Sequence, residues 1–306
     1  MNINDWALIT FTILVQMSVG SMWVLGVMHF VANRQFGMED ADRLSDRSLV
    51  ALVPVIGFGF LASLFHLGNP VNAYRAITNL GTSWLSREIL FGVIFALLAT
   101  AFAFMQWRKI GSFAARNIVA WLAALVGLML VYSMASVYML PSQPAWNSWA
   151  TPVSFFATTL LLGALAMGVA FVTNYAYLQR KQTAGMEKQT TLLREALRWI
   201  AVASIVLLGV ELVVFPVYLA TVASGSVEGL ASVQLMAGVS GWMMALRLVL
   251  AFIGAGIFAM FLYQNAMVAG HEMMLGNLAY TAFFIVFIAE VMGRAMFYLA
   301  HVRVGI

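Results

Sequence analysis

The feature that most constrains this chain is a series of long apolar runs, each near the ~20 residues that cross a bilayer as a helix. We predict helices over roughly 6–30, 48–66, 87–106, 117–139, 152–177, 199–220, 241–263 and 275–300. A backbone surrounded by lipid must satisfy its own hydrogen bonds, so each run is expected to be helical. The sequence therefore predicts an all-α integral membrane protein, a bundle of eight transmembrane helices that forms one polytopic domain over residues 1–306.

The composition excludes several other classes of protein. Of the 306 residues, 63% are hydrophobic and only 9% are charged, which leaves too little polar surface for a soluble domain. The chain has no Cys, so it forms no disulfide and holds no iron–sulfur cluster on its own thiolates. The formal net charge of +4 comes with basic residues in short connections between apolar runs. We expect membrane lipid around the chain and no nucleic-acid partner.

The distribution of Lys and Arg predicts the orientation, because cytoplasmic loops are enriched in both. The connections after the first, third and fifth helices contain Arg34, Arg43, Arg47, Arg108, Lys109, Arg116, Arg180, Lys181, Lys188, Arg194 and Arg198. The opposite side has only Arg75, Arg87 and Arg303. Both termini are therefore expected on the periplasmic side of a bacterial inner membrane. The basic connection 178–198 is the best candidate for a linker.

The stretch LFHLGNPVNAYRAITNLGTSWLSREILF, residues 64–91, joins the second and third predicted helices on that outer side. The second helix is expected to run to His66 and to stop at Gly68 and the Asn-Pro that follows. Asn-Pro is a good start for a helix, so residues 70–80 are expected to form a short helix in the membrane interface. Its lipid-facing stripe would include Tyr74.

The third helix is expected to begin near Ser86, with Glu88 in its first turn, so that His66 and Glu88 lie at similar depth on adjacent helices. An imidazole with an ordinary pKa of ~6.5 accepts a proton near neutral pH. The pair therefore suits a hydroquinone that donates one hydroxyl to each group. The simpler interpretations are an acid favoured by the helix dipole and a His tip at the membrane boundary.

The last predicted helix contains two charges within a span. Glu290 and Arg294 are four residues apart in the order that favours a helical ion pair, and His301 continues the same face. A charge within a bilayer costs ~2.5–3.5 kcal/mol, so such groups usually pair or line a polar cavity. We interpret Glu290, Arg294 and His301 as a supporting polar network. Glu211 and Arg247 are expected to pair with each other in the same way.

The charged residues and the His residues are also compatible with two other functions. One is a proton-coupled transporter whose relay is formed by Glu211, Arg247, Glu290 and Arg294. The other is a cytochrome b-type anchor with haem between His pairs, His29 and His271 on the inner side and His66 and His301 on the outer side.

Several motifs resemble one family of membrane proteins, the membrane anchor subunits of dimethyl sulfoxide reductase (DmsC type). The resemblance covers essentially the whole chain. It is strongest in GFGFLASLFHLGNPVNAYRAITNLGTSWLSREI, where an apolar helix ends in His-Leu-Gly-x-Pro and a Ser-x-Glu helix start follows. Further matching residues are Trp146, Trp149, Thr151, Pro152, Glu290, Gly293, Arg294, Phe297, Tyr298 and His301.

The resemblance implies a heterotrimer of a molybdopterin catalytic subunit, a four-cluster iron–sulfur subunit and this chain as the anchor that oxidises menaquinol. It implies catalytic roles for His66 and Glu88, and no haem or metal on the chain itself. Iron–sulfur clusters and molybdopterin would belong to the partners, docked on the periplasmic face. We expect quinol-binding contacts from Gly68, Tyr74, Arg75 and Ser86. One departure is Asn72, where the family often has a basic residue.

Overall fold

The structure is a computed structural model that describes residues 3–45, 51–65, 75, 78–183, 185–238, 241–300 and 302–304. Its described parts are helical, with no strand among them. The helices are α1 (Ile3–Phe36), α2 (Met38–Leu44), α3 (Leu52–Leu64), α4 (Trp84–Arg108), α5 (Phe113–Tyr138), α6 (Ala150–Arg180), α7 (Met186–Gly225), α8 (Val227–Gly238), α9 (Gly241–Ala266) and α10 (Glu272–Leu299).

Seven of these helices, α1, α4, α5, α6, α7, α9 and α10, are long and apolar enough to cross a membrane. They coincide with seven of the eight predicted spans, so the all-helical, multi-pass membrane architecture is confirmed. The remaining prediction, 48–66, corresponds to α3, which has 13 residues. Residues 46–50 and 66–74 on either side of α3 lie outside the described residues. The count of eight spans and the periplasmic termini stay predictions.

The helices define two ends of the bundle. We call the end where α1, α4, α6 and α9 begin and α10 finishes the terminal face, and the opposite end the basic face. The basic face includes the ends of α4 and α6 and the start of α7, with their Arg and Lys residues. The division of charge predicted from the sequence is therefore also a division between the two ends of the bundle.

The centre of the bundle is the crossing of α1 and α6. Gly20 and Gly163 face each other there, and a Cβ added at Gly20 would overlap the carbonyl of Thr159. Small residues allow membrane helices to approach until their backbones touch, and this close packing replaces the hydrophobic drive that lipid cannot supply. The large side chains around the core, including Phe95, Phe102 and Phe171, are fully buried.

The linker predicted over 178–198 is wrong, because nearly all of it is helical. α6 continues to Arg180 and α7 begins at Met186, which leaves only a short turn between them. The segment is rich in Leu, Ala, Glu, Gln and Arg, which are strong helix formers. Leu192, Leu193 and Leu197 are buried in the core, so this first part of α7 is packed into the bundle.

A network of polar side chains fixes α2 against the basic face. Asp42 accepts hydrogen bonds from Gln106 at 2.6 Å and from Arg116 at 2.8 Å, and its carboxylate lies 2.9 Å from Nζ of Lys109. Partial burial alone would raise the pKa of Asp42, but the bond from Gln106 and the charges of Lys109 and Arg116 outweigh it and lower the pKa. The connection after α1 is thereby tied to α4 and α5.

The part of the bundle formed by α7, α8 and α9 is less regular. Pro216 lies inside α7, and residues Phe252–Phe258 of α9 are π-helical. Gly254 in this stretch contacts Val286 of α10 closely, and Gly256 contacts Leu208 of α7. π-helical turns occur often at functional sites. Here the charged residue that precedes the π turn is Arg247.

Candidate functional site

The start of α4 places Glu88 within the bundle. Ser83 caps the helix, and its side-chain oxygen accepts a hydrogen bond from the backbone N–H of Ser86 at 3.3 Å. The helix begins at Trp84, two residues before the predicted start, so Glu88 lies beyond the first turn. The helix dipole acts mainly within that turn, and therefore it does not account for an acid at this position.

Glu88 is a buried carboxyl group, with 9% of its surface exposed. Among the residues that the structure describes, no side chain donates a hydrogen bond to it and no cation pairs with it. The hydroxyls of Tyr138 and Tyr298 lie within electrostatic range of its carboxylate. Glu88 is therefore a buried acid that no described cation neutralises.

The neighbouring Arg87 binds the turn that precedes α4. Its guanidinium donates to the carbonyls of Leu80 and Gly81, each at 2.8 Å, and lies 4.2 Å from the ring centre of Trp84. Trp84 in turn makes an edge contact with Tyr132 of α5, with ring centres 5.4 Å apart. The turn before α4 is thereby held against the helix, with Arg87 directed to the surface.

The remaining predicted quinol contacts divide into two groups. Ser86 is buried on α4 close to Glu88, and Arg75 is exposed, with its carbonyl accepting a hydrogen bond from the Thr78 hydroxyl at 2.7 Å. His66, Gly68, Tyr74 and His301 lie outside the described residues. The convergence of His66 and Glu88, like the network role of His301, therefore stays a prediction.

An aromatic cluster lies beside Glu88 at the terminal face. The hydroxyls of Tyr138 and Tyr298 are hydrogen-bonded at 2.8 Å, which joins the end of α5 to the end of α10. The indole N–H of Trp146 donates to the carbonyl of Phe297 at 2.7 Å, and the two rings are stacked. The loop between α5 and α6 is thus fixed to α10 by directed bonds.

A cluster of buried charges lies next to these aromatic residues, between α6, α7, α9 and α10. Arg247 donates to Glu211 at 3.2 Å, which confirms the pair predicted from the sequence. A second ion pair joins Arg247 to Glu290 at 3.6 Å, and Glu290 also accepts from the hydroxyl of Thr158 at 2.6 Å. Glu211 and Glu290 therefore share one guanidinium.

The ion pair predicted within α10 is wrong: in the described parts of the chain Glu290 pairs with Arg247, not with Arg294. The reason is Gly293, whose missing side chain admits Arg247; a Cβ there would lie 2.8 Å from Cζ of Arg247. Arg294 instead donates to Gln16 of α1 at 2.8 Å and lies 3.8 Å from the ring centre of Phe155. Sequence reasoning did not identify Gln16 or Thr158, because neither carries a charge.

The charge cluster forms the floor of a cavity of about 90 Å3. Its walls are mainly apolar, with contributions from Val153, Ala157, Val210 and Phe215, and Tyr218 lies near its terminal-face end. Glu211, Arg247, Glu290 and Arg294 all line it. The cavity does not include Glu88, so the terminal half of the bundle contains two separate places with buried acids.

The inner His residues do not form a ready haem site. His29 is buried and both of its ring nitrogens are hydrogen-bonded, Nδ1 to Asn117 at 3.1 Å and Nε2 to Ser45 at 2.7 Å. An axial ligand must offer one nitrogen to the iron, so His29 would have to break one of these bonds. Its partner in that scheme, His271, is exposed and hydrogen-bonded to Asn265 at 2.8 Å.

The long apolar helices and the buried charges between them define a multi-pass membrane protein with polar sites inside its bundle. Comparison with protein families identifies it further. Residues 1–299 match the family described as "DMSO reductase anchor subunit (DmsC)". The chain belongs to this family, as the motifs in both halves of the sequence indicated.

Individual relatives support the same assignment. The protein is 27% identical to the C chain of anaerobic dimethyl sulfoxide reductase from Escherichia coli (strain K12), over 99% of its own length and 96% of the relative. It is 34% identical to the YnfH chain of anaerobic dimethyl sulfoxide reductase from the same strain, over 53% of its own length and 56% of the relative. The corresponding C chain from Haemophilus influenzae is 31% identical, over 54% and 57%. These last two matches thus extend over little more than half of each relative.

Proposed function

We propose that this chain is the membrane anchor and quinol-oxidising subunit of a molybdopterin reductase complex, and that it oxidises menaquinol beside Glu88 at the terminal face. The observation that carries the proposal is the buried Glu88 at the start of α4, which has no partner among the described residues of a chain of this family. Its carboxyl would accept a hydrogen bond, and then a proton, from one quinol hydroxyl. His66, whose placement beside it is predicted from the sequence, would accept from the other.

The balance of the step follows from quinol chemistry. Two O–H bonds of the quinol break, two protons pass to the protein and two electrons leave the ring. This chain has no Cys, so it holds no iron–sulfur cluster on its own thiolates. The electrons would therefore pass to a cluster of an iron–sulfur partner, and from there to molybdopterin on the catalytic subunit.

The need to pass electrons to a cluster of the partner also favours docking of that partner on the terminal face. Electrons should leave on the side where the quinol is oxidised, and Glu88, Trp84 and the aromatic cluster all lie toward that face. The basic face is the opposite one and is expected to be cytoplasmic by the enrichment in Arg and Lys. Together these points support docking on the periplasmic side of the inner membrane.

The test is the replacement Glu88→Lys in the assembled complex. It puts a fixed positive charge where a proton acceptor is needed, and we expect quinol-dependent reduction of the cluster partner to fall at least ~100-fold, in line with loss of a general base. Assembly, followed by co-purification of the partner subunits, should be retained. Reduction of the same complex by a soluble dye should also be retained, because the dye bypasses the anchor.

Glu187→Lys is the matched control. Glu187 is exposed at the start of α7 on the basic face, so the variant makes the same change of charge far from the proposed site. It should oxidise quinol at the wild-type rate. Quinol turnover at the wild-type rate in Glu88→Lys would contradict the proposal.

A further inference from the structure

The cavity between α6, α7, α9 and α10 contains more hydrogen-bonding capacity than its own residues use. Among the described residues, Oε1 of Glu211, Nε of Arg247 and Nε of Arg294 have no hydrogen-bond partner, and Oε1 of Glu290 has only its ion pair with Arg247 at 3.6 Å. All four residues line the same cavity. Buried polar groups are nearly always satisfied, so unsatisfied atoms on four residues that line one cavity favour a further occupant there.

The atoms without a hydrogen bond are of both kinds, two carboxylate acceptors and two guanidinium donors. The four side chains are two acids and two bases, so neither kind predominates among them. A charged ligand would therefore lose its hydration without gaining a net counter-charge. A hydroxyl group fits better, because it donates one hydrogen bond and accepts others without any charge.

The surroundings of the cavity indicate the rest of the ligand. A groove between α6 and α7 adjoins it, and the two spaces share Val153, Ala157 and Val210. Within the described part of the chain the lining of the groove is entirely apolar; its other walls are Pro152, Phe156, Leu160 and Leu207. Val210 is 37% exposed on the outer surface of α7, which in a membrane faces lipid.

Water alone accounts for only part of this arrangement. A cavity of about 90 Å3 has room for several waters, at ~10–15 Å3 each, over the charged floor. Water would find no polar partner on the described walls of the adjoining groove, where it would be unstable. A polar end that opens into an apolar groove suits a ligand with a polar head and an apolar tail.

We infer that this cavity is a second binding site in the bundle, for a neutral, hydroxyl-bearing ring with an apolar tail. The ring would hydrogen-bond Glu211 and Arg247 at the cavity floor, and the tail would lie in the groove between α6 and α7. The choice of a quinol over other neutral amphiphiles rests on the proposed function; the site itself does not. It is separate from Glu88 and would hold quinol without oxidising it.

The test uses the purified complex in phosphatidylcholine nanodiscs and a photoreactive naphthoquinol with a short isoprenyl tail. After illumination, cross-linked peptides are mapped by mass spectrometry. We expect labels within 152–160 of α6 and 207–215 of α7. Val210→Trp places a bulky ring at the junction of groove and cavity, and should reduce this labelling at least ~10-fold.

Val213→Trp is the matched control, because Val213 is 66% exposed on the same helix and does not line either space. It should be labelled like the wild type. If Val210→Trp fails to assemble, Val153→Trp obstructs the same junction from α6. The variant Glu88→Lys should keep the label on α6 and α7, so that failure of the proposed oxidation site does not affect this result.

Any of three results would overturn the inference. The first is the absence of label on α6 and α7 in the wild type, and the second is equal label in wild type and Val210→Trp. The third is loss of the label when phosphatidylglycerol replaces part of the phosphatidylcholine, which would show that a lipid headgroup fills the cavity instead.

Discussion

At the scale of single residues, the buried charges show which contacts a sequence reveals. The pair of Glu211 and Arg247 could be predicted because each charge lies alone in its apolar run and needs a partner. The partner of Glu290 could not, because Arg294 is the nearest cation along the chain while Arg247 is the nearest in space. The deciding residue is Gly293, and a glycine gives no signal of what occupies the space beside it.

The shared guanidinium leads to a prediction about stability. Arg247→Met should strongly destabilise the protein, by about 3–5 kcal/mol, because it leaves Glu211 and Glu290 buried without the guanidinium that pairs with both. Adding Glu211→Gln to that variant removes one of the stranded charges and should restore part of the loss. The measurement is the midpoint of thermal unfolding in detergent for both variants. A double variant no more stable than Arg247→Met would show that the charges are not coupled in this way.

At the scale of helices, periodicity and length locate the spans but not their ends. The run predicted as 199–220 is part of α7, which has 40 residues and includes most of the supposed linker. Apolar length alone could not show this, because the first part of α7 is polar in composition and is buried by packing against α2 and α6. The helix α8 was likewise not predicted, because its 12 residues are too few for a span.

The contact between α1 and α6 should be the most sensitive helix crossing to added volume. Gly163→Ala puts a methyl group into the backbone of Gly20, and we expect it to destabilise the protein by about 1–3 kcal/mol through overpacking. Gly209→Ala is the control, since a Cβ at Gly209 in α7 meets no described atom within 4 Å. It should be neutral or slightly stabilising. Equal unfolding temperatures for the two variants would be inconsistent with the close crossing.

The connection at the basic face should depend on pH through Asp42. Its pKa is lowered in the folded protein, so its contribution to stability is full above the ordinary carboxyl range and is lost as the pH falls through the lowered value, below about pH 4. Asp42→Asn should therefore lower the unfolding temperature at neutral pH and converge with the wild type in acid. The measurement is a series of unfolding curves between about pH 7 and pH 3.

Glu39→Gln is the control for that series. Glu39 makes an ion pair with Arg43 at 2.6 Å, but 79% of its side chain is exposed. Exposed pairs add little to stability, so its unfolding temperature should follow the wild type at every pH. A parallel shift in both variants would mean that the dependence comes from net charge and not from the network around Asp42.

At the scale of the whole molecule, the bundle separates two tasks. The basic face is rich in cations and tied together by the network around α2, whereas the terminal face contains the aromatic cluster, Glu88 and the cavity. The sequence predicted this division from the positions of Arg and Lys and from the Ser-x-Glu start of α4. It did not predict the cavity, because four helices from distant parts of the chain form its walls.

The most direct test of quinol oxidation at Glu88 is an experimental structure of the assembled complex with a naphthoquinol analogue bound. We predict a ring oxygen within hydrogen-bond distance of the Glu88 carboxylate, about 2.6–3.2 Å, with the nearest iron–sulfur cluster of the partner on the same, terminal side. A bound analogue with no ring near Glu88, or a partner docked on the basic face, would contradict the assignment.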